Sequence, residues 1–496
     1  MSDSCRTHCI GIARIVATTG TIYEVTVLRR FPILPLVLCV PLASAGDWPQ
    51  FRGPEGTGVS ADRGLPVEVG PQKNVIWKTA LPPGHSSPIL AGPRIFVTAH
   101  EGDKLFTICL DRATGKIQWR REAPRPRKED MQKTNGPASP TPVSDGRNVY
   151  VFFGDYGIIC YGVDGDERWS MPLGPFNNAN GHGSSPVLLD DMLVLICDQD
   201  TDSYVLALDK SSGKVRWKVS RPEVTRGYAT PAVYRPKKGP AELIIPGAYE
   251  TIAYNLANGE KLWWVRGMAW QLKCVPLIDG DVVYINAWEI GGDAETPPET
   301  PTFAWMLEKY DANKDGKITP EETPVNLKRW WAEQDFNRDG AMDAREWNFY
   351  RAMKSAQNSI LAVRAGGRGD VTDTRVLWRY RKSLPNVPSP LLYNHVLYLV
   401  KDGGVATTLN PKTGGVLKQA RLQGALERYW ASPVAADGKV YMLSEACKLT
   451  VLRAGGEWDP LAVNDLDDTC FSTPAIADSR LYIRTRSALY AFGKKN

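Results

Sequence analysis

One short motif recurs along most of this 496-residue chain, and its spacing limits the folds that the chain can adopt. Each copy has a Ser/Thr-Pro step, two apolar strands, a Gly-containing turn and then Trp; one copy runs from Pro186 through residues 206–209 to Gly213 and Trp217. The anchoring prolines are Pro88, Pro140, Pro186, Pro231, Pro276, Pro390, Pro433 and Pro474. The closing tryptophans are Trp77, Trp119, Trp169, Trp217, Trp263, Trp378 and Trp458, and the sixth copy ends without one.

The spacing of these copies predicts an all-β, eight-bladed β-propeller with four-stranded blades. A unit of about 45 residues gives four short strands, and a single unit cannot bury both of its faces, so neighbouring units stack around a central channel. The gap between Pro276 and Pro390 is longer than its neighbours and indicates an insertion in the fifth unit. The strand at 75–77 and the run at 489–492 are predicted to share one sheet and close the ring.

The repeat resembles that of the pyrroloquinoline-quinone (PQQ) repeat family. Its elements Ser-Ser-Pro, Asp-Gly, Val-Tyr-Val, Leu-Asp, Thr-Gly-Lys and Trp occur in order over roughly residues 74–493, apart from the insertion. The opening run Asp47-Trp48-Pro49-Gln50-Phe51-Arg52-Gly53-Pro54 is similar to the start of many secreted bacterial members. The resemblance implies the propeller fold, whereas activity is left open because the family contains both dehydrogenases and non-enzymatic scaffolds.

The N-terminal 45 residues read as a leader. The apolar run at 31–45 follows Arg29-Arg30 and ends in Ala43-Ser44-Ala45, which is typical of a signal peptide and its cleavage site. It is too short and too rich in proline for a transmembrane span. We therefore expect a periplasmic or secreted protein, divided into a leader at 1–45, propeller at 46–292, an insert at 293–357 and propeller at 358–496.

The insert contains two consecutive matches to the EF-hand loop, at 311–322 and 335–346. Such a loop places oxygen ligands at positions 1, 3, 5, 7, 9 and 12, with glycine at position 6 and a backbone carbonyl donor at position 7. The predicted Ca²⁺ ligands are Asp311, Asn313, Asp315, Lys317, Thr319 and Glu322, and Asp335, Asn337, Asp339, Ala341, Asp343 and Glu346. The short spacing of the loops indicates a rigid module rather than a sensor that opens a groove.

The topology also predicts where the insert lies. It falls between the second and third strands of the fifth unit, so it shares a face with the loops that enter the inner strands. These entry loops carry polar and aromatic residues that could bind an anionic or planar ligand. The alternative is that they line a water-filled channel and bind no ligand. The predicted cofactor-binding residues are His182, Arg226, Gln271, Lys273, Tyr429 and Trp430. Other candidates in these loops are His85, Asn135, Tyr228, Asn386 and Arg428.

Two further expectations concern cysteines and catalysis. Cys447 and Cys470 fall on one face of adjacent blades, where a disulfide is possible. No catalytic residue is assigned, because the chain has no Cys-Cys pair, no Cys-x-x-Cys-His haem segment and no hydrolase or nucleotide-binding motif. The acids Asp155, Asp198 and Glu289 are interpreted as solvated turn residues.

The sequence favours a monomeric, non-catalytic scaffold for a protein or cell-envelope polymer. The fold resembles the propeller scaffold of outer-membrane assembly machinery. Two alternatives remain: a PQQ- and Ca²⁺-dependent alcohol or sugar dehydrogenase, and a polysaccharide-binding propeller that uses Tyr429 and Trp430 as exposed aromatic residues. A nucleic-acid partner is not expected, because the net charge of +5 comes with no basic stripe.

Overall fold

The computed structural model describes residues 11–16, 22–27, 46–290, 292–293, 299–328 and 331–494. Residues 46–494 contain eight sheets, each built around four antiparallel strands, that are arranged as a β-propeller. The short first strands of neighbouring blades contact one another around the central channel. The predicted fold class is therefore confirmed.

The second and third strands of each blade are buried along nearly their whole length, because each blade packs against a neighbour on both faces. The strands of blades one to four, from the channel outward, are Ile89–Ala91, Arg94–Glu101, Lys104–Asp111 and Ile117–Ala123; Val143–Ser144, Asn148–Phe153, Gly157–Gly162 and Glu167–Pro172; Val187–Leu189, Met192–Cys197, Tyr204–Asp209 and Val215–Ser220; and Ala232–Tyr234, Glu242–Pro246, Glu250–Asn255 and Lys261–Arg266. Those of blades five to eight are Leu277–Asp279, Val282–Ala287, Ser359–Arg364 and Val376–Tyr380; Leu391–Tyr393, Val396–Lys401, Val405–Leu409 and Val416–Arg421; Val434–Ala436, Lys439–Leu443, Lys448–Arg453 and Asp459–Asp465; and Ala475–Ala477, Arg480–Arg484, Ala488–Phe492 and Val75–Ala80.

The last blade closes the ring. Its outermost strand, Val75–Ala80, comes from the beginning of the propeller and pairs antiparallel with Ala488–Phe492 from the end. The buried apolar residues form clusters that lie mainly between neighbouring blades. The predicted closure is confirmed, and the core is distributed around the ring.

The Ser/Thr-Pro step of the repeat has a clear structural reason. The hydroxyl before the proline accepts a hydrogen bond from the backbone N–H of the equivalent residue in the preceding blade, as Ser432 does from Ser389 at 3.0 Å. The same bond links Ser87 to Thr141, Thr141 to Ser185, Ser185 to Thr230, Val275 to Ser389, Ser432 to Thr473 and Thr473 to Ser87. Only the fifth blade interrupts this ring among the described residues, because Val275 has no hydroxyl.

In five blades the Trp of the repeat joins the blade to the next one. The indole Nε1 of Trp169 donates to the carbonyl of Lys210 in the following blade at 3.1 Å. The ring also covers Gly213, which has a φ of +71° and where a Cβ would lie 2.6 Å from the indole. Trp77, Trp119, Trp217 and Trp378 make the equivalent hydrogen bond. The glycine of the turn is needed because the neighbouring tryptophan occupies the space of a side chain.

The fourth and fifth blades depart from the repeat. The helices Phe303–Tyr310, Val325–Lys328, Trp331–Gln334 and Ala344–Ser355 lie between the second and third strands of the fifth blade. A further helix, Thr372–Arg375, precedes its outermost strand. The two-residue strand Gly369–Asp370 pairs in parallel with the outer edge of the fourth blade.

The N-terminal residues form a separate unit. Strands Gly11–Val16 and Ile22–Val27 pair antiparallel. The rest of the predicted leader, including the apolar run and the cleavage site at 43–45, lies outside the described residues.

Candidate functional site: the channel mouth and the helical insert

Two ends of the channel must be distinguished. The mouth is the end formed by the loops that enter the inner strands, and the opposite end carries the turns between first and second strands. Residues 46–60 cross that opposite end. Trp48 exchanges backbone hydrogen bonds of 2.9 and 2.8 Å with Leu90 in the first blade, and Val59 forms a parallel bridge with Ala435 in the seventh. This segment, which the sequence marked only by its resemblance to other opening segments, is part of the propeller.

Arg52 lies within the crossing segment and is fully buried. Its guanidinium donates to the carbonyls of Pro390 at 2.8 Å and Gly56 at 3.0 Å, and it has no carboxylate partner among the described residues. Burial lowers the pKa of Arg52 to about 10. A satisfied but uncompensated cation therefore lies within this closed end of the channel.

His182, a predicted cofactor ligand, packs among aromatic rings. Its ring centroid lies 4.3 Å from Phe176 and 5.2 Å from Phe152, and its side chain is buried. Burial, reinforced by the nearby charge of Arg127, lowers the pKa of His182 to about 4. The Nε2 atom has no hydrogen-bond partner in the structure. His182 is therefore neutral near pH 7 and is held by packing.

Arg226 is also buried, and it is committed to other protein groups. Its guanidinium forms an ion pair with Asp200, with one N–H···O distance of 2.9 Å. The cation also lies 5.4 Å from the ring centre of Trp270 and 5.6 Å from that of Phe336, which belongs to the second EF-hand-like loop. The position of Arg226 thus connects the mouth to the insert.

Lys273, another predicted ligand, has a single hydrogen-bond partner among the described residues. Its ammonium donates to the side chain of Asn386 at 3.0 Å, and it forms no ion pair with a described carboxylate. Burial lowers the pKa of Lys273 to about 8, against the opposing effects of Cys274 and Glu289. Gln271, two residues earlier, has a φ of +59° and is half-buried.

The prediction that Tyr429 is an exposed aromatic residue is wrong. Tyr429 is 1% exposed, and its hydroxyl donates to the carbonyl of Ala425 at 2.8 Å, because the entry loop folds over the ring. Trp430 is half-buried and lies 6.2 Å from Phe471, which stacks on His85 at 4.2 Å. The aromatic residues available at this side of the mouth are therefore Trp430, Phe471 and His85.

The interpretation of three acids as solvated turn residues is also wrong. Asp155 is 1% exposed and pairs with Arg125 at 2.6 Å. Asp198 is 1% exposed and pairs with Arg221 at 2.8 Å. Glu289 is half-buried and accepts a hydrogen bond of 2.6 Å from a backbone N–H, and burial raises its pKa to about 7. The loops fold back on the blades and place these carboxylates against cations or backbone donors.

The six predicted cofactor ligands lie on four entry loops, since Gln271 and Lys273 share one loop and Tyr429 and Trp430 share another. In the described part of the chain, no hydrogen bond, ion pair or ring contact joins any two of them. The side-chain amide of Asn135 donates a hydrogen bond to the backbone carbonyl of Asn180. The hydroxyl of Tyr228 donates to the side chain of Asn178 and accepts from that of Asn180. The mouth is thus a ring of largely satisfied polar groups.

The two EF-hand-like loops have the same backbone conformation. The glycines at position 6 have φ angles of +82° and +81°. In the first loop the N–H of Asp315 donates to Asp311 at 3.2 Å, and in the second that of Asp339 donates to Asp335 at 3.2 Å.

The position-12 glutamates close both loops. Glu322 accepts from the N–H of Ala312 at 3.0 Å, and Glu346 accepts from that of Phe336 at 2.8 Å. Ile318 and Met342 form an antiparallel bridge between the loops and belong to a small separate core. These hydrogen bonds and the bridge hold the two loops together in closed conformations.

The insert packs on the mouth face of the propeller, as predicted. Its contacts are with entry loops and with loops between second and third strands: Asn177 donates to the carbonyl of Phe336 at 2.6 Å, and Arg345 donates to that of Asp200 at 3.1 Å. Phe349 stacks on Tyr249 with 6.0 Å between ring centres. The insert covers part of the mouth over the third and fourth blades.

Cys447 and Cys470 form a disulfide between the loop of the seventh blade and the entry to the eighth. The open possibility raised by the sequence is thus realised in the structure. Four other cysteines, Cys109, Cys160, Cys197 and Cys274, are free thiols in the interior. The disulfide lies directly before Phe471, on the side of the mouth that the described part of the insert does not contact.

No three His, Cys, Asp or Glu side chains among the described residues form a cluster suited to a metal ion. None of the helices in this part of the chain has the length and apolar character needed to cross a membrane.

Two structural features escaped the sequence reasoning. Arg484 is 1% exposed and donates to the backbone and hydroxyl of Ser86 at 3.0 and 2.7 Å, joining the eighth blade to the first. Burial lowers the pKa of Arg484 to about 9. Phe336 was read only as a non-ligand position of a loop. An arginine that directly follows the apolar run Leu481-Tyr482-Ile483, and an aromatic residue in an acidic loop, are the signals that could have drawn attention to them.

Comparison with known families gave one match over most of the chain. The family model described as outer membrane protein assembly factor BamB matches residues 67–295 and 342–496. The unmatched segment between these ranges contains the whole first EF-hand-like loop and half of the second. A search of curated proteins found no match.

Solved structures support the fold. BamB from Moraxella catarrhalis aligns with a TM-score of 0.54 and 12% identity, over 85% of this chain and 98% of that one. A europium-containing methanol dehydrogenase aligns with a TM-score of 0.58 and 10% identity, over 91% of this chain and 99% of that one. The computationally designed Ika8 protein aligns with a TM-score of 0.50 and 11% identity, over 84% and 98% of the two chains. At these identities the likeness concerns the fold alone.

Proposed function

This chain belongs to the family described as outer membrane protein assembly factor BamB, and on that basis we propose that it is an exported, calcium-binding propeller that acts as a non-catalytic scaffold for protein partners. The proposal rests on the contacts that the side chains at the channel mouth make within the protein. Of the predicted ligands, His182 is packed among rings, Arg226 is paired with Asp200 and Tyr429 is buried. Side chains already engaged in packing or pairing within their own protein favour a surface that binds partners over a preformed cofactor pocket.

The scaffold proposal is tested in the cell envelope. The tagged full-length chain is expressed in its native host, cross-linked in intact cells and recovered, and its cross-linked partners are identified by mass spectrometry. We expect outer-membrane assembly proteins to be enriched over a tagged, unrelated exported protein. Enrichment equal to that control would contradict the scaffold role.

Calcium binding is the second part of the proposal. The donor sets of both loops consist of carboxylate, amide, hydroxyl and carbonyl oxygens, which are the ligands that Ca²⁺ prefers. Because Glu322 and Glu346 each reach back to the start of their loop, each could supply two oxygens to an ion. When bound, the ion would cross-link the start and the end of each loop.

Calcium binding is tested by titrating Ca²⁺ into the metal-stripped full chain by calorimetry. We expect two sites, with one lost in each of Glu322→Gln and Glu346→Gln and both lost in the double variant. Mg²⁺ at the same concentration serves as the control for general cation binding. Absence of heat and of any Ca²⁺-dependent change in thermal unfolding would exclude the sites.

A second candidate function is that of a PQQ-dependent oxidoreductase, which one observation favours. Lys273 presents an ammonium with a single hydrogen-bond acceptor, and Trp430, Phe471 and His85 form a row of rings in other entry loops. A planar, anionic ligand would match such groups. Titration of PQQ with and without Ca²⁺, followed by absorption and by alcohol- or sugar-dependent dye reduction, separates the candidates: saturable binding with turnover supports the oxidoreductase.

A further inference from the structure

The two loops of the insert meet the propeller differently. The carbonyl of Phe336, at position 2 of the second loop, accepts a 2.6 Å hydrogen bond from Asn177 in the entry loop of the third blade. Arg338, at position 4, pairs with Asp130 at 3.3 Å. The first loop makes no hydrogen bond or ion pair with the described residues of the propeller; its one inter-loop ion pair is from Lys317 to the second loop.

The helix that leaves the second loop is attached to the same region. Arg345, at position 11, donates to the carbonyls of Asp200 at 3.1 Å and Pro222 at 3.4 Å. Its guanidinium also lies 4.9 Å from the ring centre of Phe349, which stacks on Tyr249 of the fourth blade. The second loop and the start of its helix thus form the contact surface of the insert.

One carboxylate connects the ion site with this surface. Glu346 is 1% exposed and accepts from the backbone N–H groups of Phe336 and Asn337 at 2.8 and 3.3 Å. The Phe336 ring in turn lies over the guanidinium of Arg226, in the entry loop of the fourth blade. A change in the position of Glu346 would therefore move a residue that packs on the mouth.

From this asymmetry we propose that the ion of the second loop holds the insert on the entry loops of the third and fourth blades, whereas the ion of the first loop does not. This inference rests on the calcium binding proposed above. Without the second ion, four acidic side chains of the loop repel one another, so the conformation that presents Phe336 and Arg345 is destabilised. Release of the insert uncovers a cation–aromatic patch formed by Arg226 and Trp270, both less than 10% exposed in the docked state.

Hydrogen exchange on the full chain, followed by mass spectrometry, tests the proposal. The peptides of interest cover residues 176–183, 221–228 and 268–272, which lie in the entry loops beneath the insert. The measurement is made at a Ca²⁺ concentration that saturates the wild type. There we expect these peptides to exchange roughly tenfold faster or more in Glu346→Gln than in the wild type. Glu322→Gln is the matched control and is expected to leave them protected.

A second variant separates loss of the ion from loss of docking. Arg345→Ala removes the hydrogen bonds to Asp200 and Pro222 but no ligand, so we expect calorimetry to find both ions still bound and the same peptides to exchange faster. If the wild type binds no Ca²⁺, the proposed calcium function fails. If Ca²⁺ binds but Glu346→Gln leaves the peptides protected, or Glu322→Gln exposes them equally, the role assigned to the second loop is wrong.

Discussion

Lys317 places a positive charge inside the predicted second ion site. Its ammonium lies 2.6 Å from the carboxylate of Asp339, which is a predicted ligand of the other loop. Because a cation at this distance opposes Ca²⁺, we expect Lys317→Met to tighten Ca²⁺ binding by roughly three- to tenfold. Calorimetric titration at fixed ionic strength measures the change. Lys314→Met is the control, since Lys314 is exposed and in no ion pair among the described residues; an equal gain there would show a general charge effect.

Buried His182 predicts a dependence of stability on pH. Its pKa is lowered from 6.5 to about 4 by burial, so the unfolded chain takes up the proton first as pH falls. The unfolding free energy is therefore expected to decrease between pH 6.5 and 4 by roughly 1–3 kcal/mol from this residue. His182→Leu should show a smaller decrease over that window, measured by urea unfolding at several pH values. Equal slopes for both proteins would contradict this assignment.

Individual residues were also where the sequence was least informative. Ligand spacing predicted two EF-hand loops, whose calcium binding stays a prediction, and position alone placed Cys447 beside Cys470. Asp155, Asp198 and Tyr429 were misread because the sequence shows that they follow strands but not that the loops fold back over them. The exposure of a side chain depends on residues that are distant in the sequence, as that of Asp198 depends on Arg221. The local sequence pattern does not show these neighbours.

At the scale of the element, the tryptophans of the repeat differ in the partner of the indole N–H. Trp169 donates its indole N–H to the next blade, whereas the Nε1 of Trp458 has no partner. We therefore expect Trp169→Phe to lower the unfolding free energy by about 1 kcal/mol more than Trp458→Phe, which loses contact area only. Urea unfolding of both variants measures the difference. Equal losses would mean that packing, and not the hydrogen bond, explains the Trp of the repeat.

The strands and blades were predicted well because the same sequence pattern marks them in several copies of the repeat. The Ser/Thr-Pro step, the turn glycine and the Trp each have a partner in a neighbouring blade, so their shared register reports tertiary contacts. The exceptions lie where the repeat is interrupted. The strand Gly369–Asp370 covers the edge of the fourth blade, and its two residues are too few to show strand periodicity.

At the scale of the molecule, the disulfide joins the seventh and eighth blades near the seam where the ring closes. Closing a loop of this length restricts the unfolded chain, so we expect Cys447→Ser/Cys470→Ser to lose about 3 kcal/mol of stability under oxidising conditions. Denaturant unfolding with and without reductant measures the effect. The reductant should lower the midpoint of the wild type and of Cys109→Ser but leave the double variant unchanged. An unchanged wild-type midpoint would show that the bond adds no stability.

The pairing of Val75–Ala80 with Ala488–Phe492 sets an order of events during synthesis. In a chain delivered with its N-terminus first, the outermost strand of the eighth blade emerges early and has no partner until roughly 400 residues later. During that interval it is an unprotected strand edge that can pair with other chains. A nascent chain released before its last strand leaves the eighth blade incomplete and its outermost strand, Val75–Ala80, unpaired. The ring can therefore close only after the last strand of the propeller has been synthesised.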